Sequence, residues 1–145
     1  MGSKSARWIG VCAVMGLLGS LPAVSAQTAA GASLGSVRLP QRVTIGDQAL
    51  AAGTYTVRAS NDPVEPVVGQ APESQQWVEF VQGGAVRAKT MATKLTPAEV
   101  KEVAESAAPA AGRSKVELLK GGDYLRVWIN QGGTNYLVHL SITPQ

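Results

Sequence analysis

The sequence predicts a mainly β domain: an antiparallel β-sandwich or partly closed barrel of about seven or eight strands, with one short helix over about 97–106. Three observations carry this. Apolar and polar residues alternate in several short runs. Two Gly-Gly pairs, Gly121-Gly122 and Gly132-Gly133, punctuate the most regular of them. A single helix-start signal, Thr96-Pro97-Ala98-Glu99, stands between two strand-rich regions.

Taken in order, Gln27 to Ser36 is small and polar and is expected to be a flexible lead, with the β domain over 37–145. Arg42 to Ile45 alternates and meets Gly46-Asp47, a pair suited to a tight turn, and Gln48 to Leu50 returns. Thr54 to Ala59 is a strand with Tyr55, Val57 and Ala59 on one side and Thr54, Thr56 and Arg58 on the other. Asn61 to Gln75 carries Pro63, Pro66 and Pro72, which cannot donate to a ladder. It reads as a surface crossing with room for a short edge strand at Val67-Val68.

Gln76 to Val81 and Ala85 to Thr93 form a hairpin. A three-residue loop at 82–84 sets Phe80 opposite Val86, Val78 opposite Ala88, Glu79 opposite Arg87 and Trp77 opposite Lys89. A two-residue loop would set Phe80 opposite Arg87, so the longer loop is preferred. The helix follows, with Thr96 as N-cap, Pro97 at N1 and Glu99 at N3. Val100, Val103, Ala104 and Ala107 make its apolar face.

Two-residue turns at the two glycine pairs place Val116, Leu118, Leu125, Val127, Ile129, Tyr136, Val138 and Leu140 on one face of a three-stranded meander. A slip of one residue would carry Asn135 and His139 inside, so turn chemistry and hydrophobic pattern agree on one register. The glycines are explained by hairpin geometry. A phosphate cradle needs a glycine loop leading into a helix, and strands follow both pairs.

The first 26 residues read as a secretory signal: Lys4 and Arg7, then the apolar run Trp8 to Leu18, then Val24-Ser25-Ala26 before a cut at Gln27. Export to the periplasm or beyond is the expectation. Cys12, the one cysteine, leaves with that segment, so the mature chain has no disulfide, thiolate nucleophile or cysteine ligand. No other apolar run is long enough for a helical membrane span. Of 13 Lys and Arg residues, Lys4 and Arg7 lie in the leader, leaving 11 against 10 Asp and Glu. The mature chain is almost neutral and has no basic stripe, which argues against nucleic acid as a partner.

The opposite face of the meander holds Lys115, Glu117, Leu119, Tyr124, Arg126, Trp128, Leu137, His139 and Ser141. Aromatic area next to an arginine is how contact surfaces are built, so Trp77, Tyr124, Arg126, Trp128 and His139 are the candidate ligand-binding residues. The competing reading is a half-covered outer face whose stems and rings shield each other. His139 is the one histidine and has no cysteine for company, which leaves metal ligation without its usual donors. Ser141 lies two residues from it on one strand, a poor geometry for a catalytic set. No catalytic residue, metal site or cofactor is predicted.

The stretch Val43 to Arg58, VTIGDQALAAGTYTVR, resembles a recurring strand-turn-strand element of secreted bacterial β-proteins, L-x-A-G-x-Y-x-V, matched by Leu50, Ala52, Gly53, Tyr55 and Val57. The chain as a whole is similar to uncharacterised small exported bacterial β-proteins. The common L-P-A-G form of the step is here Leu50-Ala51-Ala52-Gly53. The resemblance implies a sandwich-like fold and an envelope location, and it transfers no catalytic residue. The functional expectation is a non-enzymatic envelope accessory or binding module, its partner an envelope component or small ligand. The alternatives are a small hydrolase or metal-dependent enzyme centred on His139, and a structural envelope protein assembling through a sheet edge.

Overall fold

The computed structural model describes residues 31–143. The expected leader 1–26 and the start of the expected lead lie outside them. Nine strands occur among the described residues: β1 (Ser33–Leu39), β2 (Val43–Ile45), β3 (Gln48–Leu50), β4 (Gly53–Ala59), β5 (Gln75–Gln82), β6 (Ala85–Leu95), β7 (Ser114–Leu118), β8 (Tyr124–Gln131) and β9 (Thr134–Ile142). One helix, α1 (Pro97–Val103), separates β6 from β7. No helix among the described residues is long and apolar enough to cross a membrane.

All the strand pairs are antiparallel, and β9 is the hub. One edge of β9 pairs along its length with β8, which pairs with β7. Its other edge is shared: β6 takes Asn135 to Leu137, and β2 takes Ser141 and Ile142. From β6 the sheet continues through β5 and β4 to β1. It curls until β1 lies against β7 and β8, yet no ladder joins β1 to β7. Ser114 Oγ donates to the Ser36 carbonyl across that seam. The architecture is therefore sandwich-like and the sheet does not close into a barrel.

The curl gives one main core. Val37, Val57, Val78, Phe80, Val127 and Ile129 are wholly buried in it, and Val138 and Leu140 nearly so. Tyr55 meets Phe80 edge-on at 6.3 Å between ring centroids, a geometry their quadrupoles favour. Gly35 lies where β1 crosses β8, and a Cβ there would meet Ile129 Cγ2 at 3.2 Å. A side chain there would have to push Ile129 aside by a few tenths of an ångström in a backbone conformation that side chains rarely adopt, so glycine suits the close approach of the first strand.

The meander has the expected register throughout. Leu125 pairs with Leu140, Val127 with Val138, Ile129 with Tyr136 and Val116 with Val127. Gly132 and Gly133 have φ of 60° and 92°, as a tight hairpin turn with two left-handed positions demands. Leu118 is the exception on the apolar face. It is 61 % exposed, because it sits where the seam beside β1 is open.

Four expectations are corrected. The lead is not loose to Ser36: strand β1 begins at Ser33, because Leu34 fills the core and Ala59 N–H bonds the Ala32 carbonyl. Val67-Val68 is no strand. Its side chains are 55 % and 103 % exposed, and the flanking prolines leave it no ladder to join. The β5–β6 turn has two residues, Gly83 and Gly84, with a bulge at Arg87. The bulge avoids the Phe80–Arg87 clash of a plain two-residue turn: Phe80 faces Ala88, Glu79 faces Lys89 and Trp77 faces Met91. The helix stops at Val103, not near 106. Ala104 is extended, its N–H closing the last turn on the Val100 carbonyl, and the Val103 carbonyl turns to Arg126.

Phe80 is fully buried against Tyr55 and Ala88. Phe80→Ala is expected to cost about 3–5 kcal/mol in urea unfolding. Thr96→Ala removes the hydroxyl arm of the capping box, leaving the backbone N–H of residue 96 on Glu99, and is expected to cost about 1 kcal/mol, measured the same way.

Candidate functional site

The outer face of the meander is roofed. Trp128, Leu137 and Leu95 form a second buried cluster beneath Val100, Val103 and Ala104 of α1 and its C-cap. Trp128 is 1 % exposed and donates its Nε1 to Glu117 Oε2 at 2.9 Å. Glu117 also ion-pairs with Lys115 at 2.6 Å and accepts from Ser106. Burial pushes the Glu117 carboxyl upward, but the hydrogen bonds from Lys115, Ser106 and Trp128 outweigh it and hold the carboxyl below its ordinary range.

Arg126 stands opposite Glu117 in the ladder but does not pair with it. Its Nη1 donates to the Val103 carbonyl at 3.0 Å, at the negative end of α1. Arg126 thereby ties the helix to the sheet. Tyr124 is 46 % exposed and His139 is exposed beyond the helix. Partial desolvation, and then the neighbouring Arg126 charge, lower the His139 pKa from its usual value. Among the described residues no three His, Cys, Asp or Glu side chains gather to hold a metal ion.

The five sequence-predicted contact residues thus separate. Trp128 is interior, and Arg126 is engaged by the helix. Tyr124 and His139 remain on the open end of the face. Trp77 lies on β5, with β6 between it and β9.

Trp77 has a setting of its own. It is half-buried and, with Met91, lines a cleft of about 550 Å³ between the outer face of β5–β6 and the proline-rich crossing. Pro63, Glu65 and Val67 form the far wall, and Asp62, Gln75 and Lys89 supply polar groups. A smaller hollow of about 430 Å³, edged by Arg58, Ser60 and Glu79, adjoins it and shares Asp62.

Local chemistry explains the placement. Ser60 N–H bonds the Trp77 carbonyl, and Gln76 Nε2 bonds the Ser60 carbonyl at 2.8 Å, so the crossing starts pinned to β5. Ser60 Oγ then holds Asp62 Oδ2 at 2.6 Å and aims it over the sheet. Lys89 reaches the same oxygen and lies 4.8 Å from the Trp77 ring centroid. Lys89 first, and Ser60 second, lower the Asp62 pKa. Beside them, Arg58 of β4 and Glu79 of β5 pair at 2.7 Å.

Asp62, Glu65, Lys89 and Met91 were not singled out from sequence. Lys89 was placed opposite Trp77, whereas the shorter turn and the bulge together move the register two places, so that Lys89 faces Glu79 and Met91 faces Trp77. The available signal was Ser60-Asn61-Asp62 at the foot of a proline-rich crossing, a turn that orients a carboxylate.

No family model, curated protein or solved structure matches the chain.

The pKa directions set the acid behaviour. The folded state depresses the His139 pKa, so the unfolded chain takes up that proton first, and stability falls as pH drops from about 6.5 toward the lower folded value. Asp62 and Glu117 are also depressed, and their contributions are present above about pH 4.5 and lost below it. Thermal melts should show a falling Tm from pH 7 to 5 that His139→Gln flattens, and a steeper fall below pH 4.5 that Glu117→Gln reduces.

Proposed function

We propose that the protein is an exported, non-enzymatic binding module of the cell envelope that holds its ligand in the Trp77 cleft. The observation that carries the reading is Trp77 itself: a half-buried indole in a cleft of about 550 Å³, with apolar and charged groups around it. Binding sites are typically concave, roughly 300–1,000 Å³, with a few placed polar groups on an apolar base. Export is supported by the leader pattern at 1–26 and by the resemblance to exported bacterial β-proteins.

The enzyme alternative has less behind it. His139 faces Arg126 in the ladder and makes no ion pair with a carboxylate among the described residues. Arg126 also disfavours the protonated imidazole that a general acid needs.

Trp128 is sealed under α1, so among the described residues acrylamide quenching reads Trp77. Fractions of bacterial envelope extract are expected to shield Trp77 from acrylamide in the wild type, and Trp77→Phe to abolish the effect. Unchanged quenching with every fraction would remove the reading.

Assembly through a sheet edge has one observation in its favour, the open seam beside β7 with Leu118 exposed in it. It predicts a mass that rises with concentration in analytical ultracentrifugation and a Leu118→Lys variant that stays monomeric. A constant monomer mass for the wild type would exclude it.

A further inference from the structure

The ammonium beside the Trp77 ring belongs to the protein. Lys89 Nζ lies 4.8 Å from the ring centroid and is ion-paired with Asp62. A cation on an indole face, backed by a carboxylate, is how proteins hold organic cations. The two partners of Trp77 come from separate segments, Lys89 from β6 and Asp62 from the crossing, so the fold assembles this arrangement.

Glu65 lines the same cleft and makes no ion pair among the described residues. The lining therefore sets Asp62 and Glu65 against the single charge of Lys89. One lysine compensates Asp62 and covers the ring, and it leaves Glu65 facing the cleft without a counter-charge. Pro63, Val67 and Met91 offer apolar contact between the charged points.

From this geometry we infer that the cleft, read as the ligand site, takes an organic cation with two or more ammonium groups, and that Lys89 is its built-in competitor. The ligand's first ammonium replaces Lys89 on Trp77 and Asp62. Its second meets Glu65, and its methylenes lie along Met91 and Val67. Lys89 swings into solvent, which its side chain already reaches at 35 % exposure. An anionic ligand would meet the uncompensated Glu65 carboxylate instead. A polyamine and a lysine-rich peptide share the required chemistry.

The test uses the protein with spermine and trilysine as probes, read by Trp77 emission and by calorimetry. Removing the competitor should tighten binding, so K89M is expected to bind spermine about fivefold more tightly than the wild type. E65Q should bind several-fold more weakly and lose part of the salt dependence. A response to spermine alone assigns a polyamine, to trilysine alone a basic peptide, and to both the shared chemistry. K89M and E65Q change exposed side chains, so folding is not at stake. K89M binding no more tightly than the wild type would overturn the inference. If neither probe binds K89M while envelope fractions still shield Trp77 from acrylamide, the ligand class falls and the cleft stands. If both signals are missing, both readings fall.

Discussion

The structure depends on the register of the β7–β8–β9 meander. Pairing Leu125 with Leu140 and Val127 with Val138 puts a continuous apolar face inside. The same pairing puts Trp128, Leu137 and Arg126 outside together. Side chains alternate across a strand, so the inner and outer faces are one decision. The inner face receives β1, β4 and β5 as the sheet curls, and the outer face receives α1. Because β9 also carries β6 on one half of its edge and β2 on the other, every strand of the domain is referred to this register directly or through one neighbour chain.

The helix shows how an outer face acquires a roof. Seven residues form too short a helix to stand alone in water, and its capping box contributes only part of what it needs. Packing of Val100, Val103 and Ala104 on Trp128 supplies the rest. The polar groups left on the sheet are then directed: the Trp128 N–H goes to Glu117, and the Arg126 guanidinium goes to the last carbonyl of the helix. A buried indole and a guanidinium without a carboxylate would each be costly alone; Glu117 answers the indole, and the helix terminus answers the guanidinium at Nη1 while its Nε stays buried without a hydrogen-bond partner. What looked like contact chemistry is largely consumed in docking α1.

The cleft at Trp77 has a different origin. A bulge at Arg87 shifts β6 by one residue, which brings Met91 beside Trp77 and leaves Lys89 free to reach across to Asp62. Prolines keep the crossing from pairing with the sheet, so it arches above the strands and leaves space beneath. One local irregularity and one segment unable to join the ladder together make the concavity. A regular hairpin and a well-paired edge strand would have filled it.

The fold class, the meander with its inward face, the tight turns at Gly46-Asp47 and Gly132-Gly133 and the capping box were legible in the amino-acid order, because each depends on neighbours a few residues apart and on a period of two or of 3.6. At Gly121-Gly122 the register held but the turn runs from Leu119 to Gly122. Strand β1 was hidden: Gly35 interrupts its pattern, and its purpose, a close approach to Ile129, exists only across the fold. Of the candidate contact residues, Trp77 kept an open setting while Trp128 was taken inside, although both read alike as aromatic residues on polar strand faces. The difference lies in what packs above each strand: α1 over β8, the proline-rich arch over β5. Sequence periodicity tells which face a side chain points to. Only tertiary packing, which brings residues far apart in the chain into van der Waals contact, decides whether that face is covered by the protein or left to water and a ligand.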